Sequence, residues 1–452
     1  MTTLFSAPDV DAQQSIVFAF SGNVFNLDGG SGLVNAGRIR PDEVGVVTPI
    51  SGTPYSARTL IGSGTQWAWR GDDDNDSDLV DSPTAAPGSD TDALMVKRFM
   101  ASGTLTERDL CISKEDNYST TNGFLDGDVY YHPSQGVVRT FITEAQVAAV
   151  TGATSVDVDA ICQDTNGDLY LSFDLDETTS AGPAENSSIV RVPAAAITYD
   201  ANGDVSGVVG GLVEVLNTEN DLDTFILNSG LRSNGAGVPF NSTNDISGLE
   251  IDPNGGTWVS PVNGLTYPNL LLTWDSGSSN DGGIISTAGG GSIAVINGVP
   301  MGSPVATTGQ HLGLLPQSTG QSDAFALALL DNFEFPITLE NYPESQLTGS
   351  DFGFSRQEVS GATPFSPVAF VLSIGPSGPG TALNSIAFPG IVNGEFYEPS
   401  TAIVATSSLT DARGYAEQTL NIAVLVGSAT NICWQVYDFG QNRLSLPAPI
   451  QF

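Results

Sequence analysis

The chain has 452 residues, of which 51 are Asp or Glu and 14 are Lys or Arg, so its formal net charge at pH 7 is -37. A hydrophobic fraction of 40% is sufficient to build folded cores and excludes bulk disorder in spite of this charge. Because so anionic a surface repels phosphate backbones and anionic lipid headgroups, we expect neither nucleic acid nor a membrane surface as a partner.

Three features bear on where the protein resides. The sequence has no apolar run of about 18 residues, so no membrane insertion is expected. Residues 1–25 lack a basic start and a continuous apolar segment, so no signal peptide is expected in the sequence as written. Cys111, Cys162 and Cys433 fit neither a disulfide framework nor a zinc motif and are predicted to be buried thiols, although one pair could bond if the protein is exported.

Strand signals dominate the chain, as short β-branched and aromatic runs separated by Gly, Asn, Asp, Ser and Pro. The clearest runs are residues 15–21, 136–142, 168–173 and 270–274. One short helix is predicted at residues 143–150, where Thr143 and Gln146 have capping-box spacing and Gly152 provides a stop. The predicted fold class is therefore all-β.

A loose internal repeat places a small residue and then an apolar one after Asp or Ser. The copies begin at Asp92, Asp159, Ser247 and Asp323, at intervals of 67, 88 and 76 residues. Because small antiparallel sheets repeated around an axis form a β-propeller, we predict a propeller of five to seven irregular blades. A large sandwich or a β-helix remains an alternative, since the repeats are too divergent to fix a blade number.

The composition changes near Gly361. Residues 1–364 contain 46 acidic and 12 basic residues, a net charge of -34, whereas residues 365–452 contain 5 and 2, a net charge of -3. The last stretch has predicted strands at residues 368–374, 402–407, 416–422 and 432–437. This spacing suits a β-sandwich, so we predict a propeller-like domain at 1–364 and a sandwich domain at 365–452.

Some of these motifs carry a family resemblance. Residues 157–174, the Thr-Asp-Ala-Arg-Gly turn at 410–414 and the Gln-Val-Tyr-Asp strand at 435–438 resemble segments of uncharacterised exported β-propeller-like proteins of planctomycetes and related bacteria. Those proteins also end in a small β-sandwich. The resemblance implies an extracellular or cell-surface protein and brings no established activity with it.

The acidic run 72–78 is the most specific polar motif. Its alternate carboxylates, at Asp72, Asp74, Asp76 and Asp78, could converge on one Ca²⁺ ion, because calcium prefers several oxygen ligands from one loop. The Gly and the distal Glu of an EF-hand are absent. The alternative interpretation is a solvated acidic loop held open by repulsion between its charges.

A second candidate calcium loop has oxygen ligands at Asp164, Asn166 and Asp168, and the same pattern recurs at residues 200–204. These residues are also favourable turn formers, because Asn and Gly tolerate positive φ, and a turn is the preferred interpretation. Asp157, Asp159 and Asp174 flank a predicted strand pair and are further candidate ligands.

The functional hypothesis is an exported or cell-surface, non-enzymatic protein with a structural, adhesive or glycan-binding role, stabilised by Ca²⁺. Its expected partners are polysaccharide or a second copy bound through the C-terminal domain. Few basic residues and only two histidines, His132 and His311, leave little material for most catalytic sites. The alternative is a calcium-dependent propeller hydrolase of glycosides or esters that uses paired carboxylates.

Overall fold

The structure is a computed structural model. It describes residues 15–20, 24–26, 38–39, 44–48, 56–61, 91–99, 105–114, 125, 127–134, 137–154, 156–229, 245–252, 255–275, 285–287, 295–296, 299–300, 314–316, 324–330, 333–334, 337–342, 354–374, 381–382, 395–396, 402–411, 414–421, 431–445 and 448–451.

Within these residues the fold is all-β, as predicted, with short helical insertions. The strands before residue 337 are β1 Ser15–Phe20, β2 Val24–Asn26, β3 Arg38–Ile39, β4 Val44–Thr48, β5 Ser56–Ile61, β6 Thr91–Val96, β7 Leu105–Thr106, β8 Leu110–Lys114, β9 Val129–Ser134, β10 Val137–Ile142, β11 Val158–Gln163, β12 Leu169–Phe173, β13 Glu177–Thr179, β14 Gly182–Ala184, β15 Val190–Val192, β16 Ile197–Tyr199, β17 Val205–Val208, β18 Glu214–Val215, β19 Asp245–Ile251, β20 Thr257–Val259, β21 Thr266–Pro268, β22 Leu270–Asp275, β23 Ile285–Ser286, β24 Val295–Ile296, β25 Val299–Pro300, β26 Leu314–Pro316, β27 Ala324–Leu330 and β28 Phe333–Glu334.

Four antiparallel sheets make up most of this N-terminal part. In hydrogen-bonding order, sheet I is β10-β9-β8-β6, sheet II is β11-β12-β15-β18, sheet III is β19-β22-β23 and sheet IV is β27-β1-β4-β5. In each sheet, one edge strand contains or adjoins one copy of the internal repeat: β6, β11, β19 and β27. These four are called the inner strands below.

The inner strands lie against one another in sequence. β6 contacts β11, β11 contacts β19, β19 contacts β27, and β27 contacts β6 again. All six residues of β6 and of β11 are buried, which matches strands covered on both faces.

The apolar cores lie between neighbouring sheets. Phe141 and Leu171 join sheets I and II, Val17 and Ile112 join sheets IV and I, and Trp274 belongs to the core between sheets II and III. Burying an aromatic side chain in such a core is worth about 1.5–3 kcal/mol.

Sheet IV combines the two ends of the N-terminal part. β1 pairs antiparallel with β27, so that Val17 lies opposite Ala328, and β4 pairs with the other side of β1. Strands separated by about 300 residues along the chain thus share one sheet, which links the first residues to the last of the four repeats.

The helix α1, Glu144–Thr151, confirms the predicted capping box. The backbone N–H of Gln146 donates to Thr143 Oγ1, the backbone N–H of Thr143 donates to Gln146 Oε1 at 2.9 Å, and Gly152 ends the helix at φ 83°. A second helix, α2 at Glu219–Ser229, was not predicted. Thr218 precedes it and donates from both its N–H and its hydroxyl to Asp221 Oδ2, each at 2.8 Å.

Two facing sheets form the C-terminal unit, residues 337–451. Its strands are β29 Thr338–Tyr342, β30 Phe354–Ser360, β31 Pro367–Ile374, β32 Thr381–Ala382, β33 Glu395–Phe396, β34 Ile403–Leu409, β35 Ala416–Asn421, β36 Asn431–Asp438, β37 Arg443–Leu444 and β38 Ala448–Gln451. Sheet V is β29-β30-β35, and sheet VI is β34-β31-β36, with β37 and β38 both paired to β36.

The core of this unit shows where it begins. Leu339 and Val359 from sheet V pack with Phe370 and Trp434 from sheet VI. The C-terminal unit therefore includes residues before the predicted boundary at 364. The change in charge used to place that boundary does not coincide with the start of strand pairing.

One corner of the C-terminal unit is fixed by hydrogen bonds. Thr363 donates from its N–H and its hydroxyl to Asp438 Oδ2 at 2.8 and 2.6 Å, and the Thr410 hydroxyl donates to the Thr363 carbonyl at 2.6 Å. Gly414 has φ 75° and donates to the Asp411 carbonyl, and a Cβ at this position would collide with the Ala362 carbonyl. Only glycine fits this turn.

Candidate functional site

A group of carboxyl side chains gathers where the inner strands begin. Asp92 and Asp159 are the second residues of β6 and β11, Asp245 is the first residue of β19, and Asp174 directly follows β12. We call these four residues the carboxyl cluster. Asp92 and Asp159 are each only 5% exposed.

The surroundings of Asp159 perturb its carboxyl group strongly. Burial raises the pKa of Asp159 well above its ordinary value, and the charges of Asp92, Asp174 and Asp245 raise it further. Asp159 is also hydrogen-bonded to Asp92. Two carboxyl groups in direct contact are most stable when they share one proton, so the pair keeps a proton at pH values where exposed carboxyls are ionised.

The internal repeat contains a signal for part of this cluster. Asp92 and Asp159 occupy the same position in two copies of the internal repeat, and equivalent positions on adjacent inner strands meet at one end. The sequence predicts that Asp159 and Asp174 flank a strand pair, but their proximity to Asp92 and Asp245 depends on contacts between sheets.

At the other end of β6, Lys97 reaches into the neighbouring β16–β17 hairpin. Its Nζ lies 2.5 Å from Asp204 Oδ1 and donates to the Asn202 carbonyl at 3.0 Å. The Nζ also lies 3.8 Å from the centre of the Tyr131 ring, and the Tyr131 hydroxyl donates to Asp204 Oδ2 at 3.0 Å. Lys97 thereby links sheet I to the β16–β17 hairpin, which lies next to sheet II.

The next two residues continue this contact. Arg98 Nη2 donates to the buried Glu250 Oε2 of β19 at 3.0 Å, which ties sheet I to sheet III. The backbone N–H groups of Arg98 and Phe99 both donate to Gln163 Oε1 at 2.9 Å, and the Phe99 ring packs 4.6 Å from the Tyr199 ring. We call residues 97–99 the clamp. Lys97 and Arg98 are adjacent basic residues, and both form ion pairs with carboxylates inside the protein.

The predicted calcium residues Asp164, Asn166 and Asp168 lie together in the turn between β11 and β12. Asp164 Oδ1 accepts the backbone N–H groups of Asn166 and Asp168 at 2.8 and 2.9 Å, and the Asn166 side-chain amide donates to Asp164 Oδ2. Gly167 has φ 92°. This is the geometry of a side-chain-stabilised turn, which supports the turn interpretation.

Asp168 has a different set of partners. Arg191 donates from Nε and Nη2 to Asp168 Oδ2 at 2.8 and 2.6 Å, and the Ala194 N–H donates to Oδ1 at 2.7 Å. Arg191 also donates to Glu214 Oε2 at 2.6 Å. The last Asp of each Asp-x-Asn-Gly-Asp turn therefore binds a basic side chain, Arg191 for Asp168 and Lys97 for Asp204.

Asp72, Asp74, Asp76 and Asp78 lie outside the described residues, as do His311 and the side chain of His132. In the part of the chain that the structure describes, no group of three or more His, Cys, Asp or Glu side chains is arranged to hold a metal ion. Cys111, Cys162 and Cys433 are buried and none of the three forms a disulfide, and burial raises the pKa values of Cys111 and Cys162. Among the described helices, none is long and apolar enough to span a membrane.

Comparisons with known proteins add little. No family model and no curated protein matches the chain. Two structures of the extracellular domain of BT4673 from B. thetaiotaomicron resemble it, with 9% identity and a TM-score of 0.20 for one and 8% and 0.22 for the other. They cover 99% and 96% of this chain, which spans 57% and 52% of theirs. Resemblance at this level carries no argument about function.

Proposed function

We propose that sheets I to IV are the blades of a four-bladed β-propeller and that the C-terminal unit is a β-sandwich. The support is the succession of contacts from β6 to β11, β19, β27 and back to β6, with apolar cores between sheets I and II, II and III, and IV and I. Pairing of β1 with β27 would close the ring. The proposal has four blades, fewer than the five to seven expected from the repeat.

We further propose that the protein is an exported or cell-surface protein with a structural, self-associating role and no catalytic activity. The observation that carries this proposal is that charged side chains of the described residues bind one another inside the protein. Lys97, Arg98 and Arg191 form ion pairs that join separate strands, and the carboxyl pair of Asp92 and Asp159 is buried. These groups hold sheets together and are not presented to a substrate.

The hydrolase alternative needs two carboxyl groups that a substrate can reach. Asp92 and Asp159 are in contact and the pKa of Asp159 is raised, as acid catalysis requires, but each residue is only 5% exposed, which gives a substrate little access to either carboxyl group. This exposure favours the structural role over catalysis.

Calcium is proposed at one place only, the segment 72–78. The oxygens of Asp164 and Asp168 already accept hydrogen bonds from backbone N–H groups and Arg191, so a cation there would have to displace them. The segment 72–78 has five carboxylates in a chain of net charge -37, and bound cations would relieve their repulsion.

Thermal unfolding and turnover measured on the same samples test this proposal. In millimolar Ca²⁺, at a high ionic strength matched to an EDTA sample, we expect the melting temperature to rise by several degrees, because an ion that binds only the native state stabilises it. We expect no product from chromogenic glycosides or esters in either sample.

The double variant D74N/D76N is the control for the calcium site. It should lose most of the calcium-dependent rise in melting temperature and keep the wild-type melting temperature in EDTA. An unchanged rise in this variant would place calcium elsewhere in the chain. Turnover that appears in Ca²⁺ and disappears in EDTA would contradict the structural role and support the hydrolase.

A further inference from the structure

The strand β34 lies at the edge of sheet VI. It pairs with β31, and its other side has no strand partner among the described residues. Residues 402–409, Ala-Ile-Val-Ala-Thr-Ser-Ser-Leu, include no charged residue and no proline. In soluble proteins, charged residues and prolines commonly protect a free strand edge, because its open N–H and C=O groups can otherwise pair with another chain.

The large side chains of β34 are exposed. Ile403, Val404 and Leu409 are 55%, 54% and 69% exposed, and they stand at the two ends of the strand with the small residues 405–408 between them. The pairing with β31 shifts register at Ala405, which bends the strand between its two apolar ends.

Two exposed aromatic residues extend the apolar surface next to Leu409. Phe365 precedes β31 and is 75% exposed, and Phe439 follows β36 and is 51% exposed. Leu409 pairs with Pro367, and the Phe439 N–H donates to the Pro367 carbonyl, so the three side chains belong to one end of sheet VI. Phe365 also has φ 54°, a conformation that is costly for a bulky residue and that concentrates at functional sites.

The sequence of β34 suits pairing with itself. When two β34 strands pair antiparallel about a two-fold axis, the end of one strand lies beside the start of the other, so Leu409 of each copy lies near the Ile403 and Val404 end of its partner. The apolar ends then meet twice, as the two-fold symmetry of a homodimer requires.

Charge favours the same surface. Residues 1–364 carry a net charge of -34, so two copies repel each other strongly through that part of the chain. Residues 365–452 carry a net charge of -3, and β34 carries none, so copies approach at least electrostatic cost along this edge.

We propose that two copies of this chain associate by antiparallel pairing of their β34 strands, with Leu409, Phe365 and Phe439 packed at the ends of the joint sheet. The proposal rests on the self-associating role proposed above and names its surface. The occupant of the edge is a second copy of the chain, recognised by backbone hydrogen bonds and apolar contacts.

Sedimentation velocity of the full chain, from about 1 µM to about 100 µM at physiological salt, tests the proposal. We expect a concentration-dependent dimer in the wild type. Val404→Lys and Leu409→Lys should each raise the dissociation constant at least about tenfold, because a charge at the edge opposes strand pairing.

Val259→Lys is the matched control, because Val259 is also a strand residue, 61% exposed, in the N-terminal part. It should leave the dimer intact, and circular dichroism should show all variants folded. A wild type that stays monomeric, a V404K protein that dimerises normally, or a V259K protein that dissociates equally would each overturn the proposal. A monomeric wild type that has no turnover but is retained on insoluble polysaccharide would refute this surface and leave a non-catalytic binding role in place.

Discussion

Replacing Lys97 with Met is expected to lower the free energy of unfolding by about 3–5 kcal/mol, because it leaves the carboxylate of Asp204 buried without its cation. The Lys97 and Asp204 side chains are only 7% and 12% exposed. Burial alone would lower the pKa of Lys97, but the neighbouring Cys111 sulfur and the hydrogen bonds with Asp204 and Tyr131 raise it above the ordinary value, so the ammonium is charged. Chemical denaturation at pH 7 measures the loss.

Two further variants separate this ion pair from simple loss of a side chain. Arg139→Met removes a second cation that lies 3.7 Å from the same carboxylate but is 43% exposed, and it should cost less than about 1 kcal/mol. In K97M/D204L both charges are absent, and most of the stability should return. If K97M costs no more than R139M, the clamp does not hold sheet I to the hairpin.

Asp159→Asn is expected to make the stability of the protein less dependent on pH. Burial and the charges of Asp92, Asp174 and Asp245 raise the pKa of Asp159 in the folded state. Between its ordinary and its raised pKa, the unfolded chain has lost this proton and the folded protein keeps it. The free energy of unfolding therefore falls as pH rises through this interval, by about 1.4 kcal/mol per pH unit for one proton.

Asparagine keeps a neutral hydrogen-bonding group beside Asp92 and removes this titration. In denaturation series at fixed ionic strength, D159N should therefore become increasingly more stable than the wild type as the pH is raised from the ordinary pKa of aspartate toward the raised pKa of Asp159. At low pH, any greater stability of the wild type comes from the neutral carboxyl group of Asp159. A variant that is less stable than the wild type at pH 8 would mean that Asp159 acts as a carboxylate, as a cation site requires.

Asp200→Asn is the control for the sign of this effect. Hydrogen bonds from the backbone of Asp204 and the side chain of Asn202 lower the pKa of Asp200. Asp200 therefore adds stability above its ordinary pKa and loses it as pH falls, the opposite direction from Asp159. D200N should remove a contribution at neutral pH, whereas D159N should add one.

Local features of the fold were predictable from the sequence because they depend on neighbouring residues. The capping box of Thr143 and Gln146 identified α1, and the Asp-x-Asn-Gly pattern identified the turn at 164–168. The internal repeat coincides with the inner strands because each copy has the small and apolar residues that a fully buried strand needs.

Contacts between distant segments were not predictable in the same way. Lys97 and Asp204 are 107 residues apart, Arg98 and Glu250 are 152 residues apart, and no spacing rule connects either pair. The helix α2 was missed because Glu219, Asn220, Asp221 and Asp223 read as a polar loop, while its Leu222 and Ile226 are buried only through packing near sheet III. The pairing of β1 with β27, about 300 residues apart along the chain, likewise follows from no local pattern.

That pairing is the most direct test of the proposed ring, and an engineered cross-link measures it. Val17 and Ala328 are directly opposite and fully buried, and opposed residues of an antiparallel pair have Cα atoms about 4.5–5.5 Å apart, within the range of a disulfide. V17C/A328C should form a disulfide under mild oxidation and raise the melting temperature, because it joins the ends of a long loop. A19C/A328C, two residues out of register because Ala19 pairs with Ala326, should not form it readily. A folded V17C/A328C protein that fails to cross-link, or equal cross-linking of both pairs, would contradict a ring closed by β1 and β27.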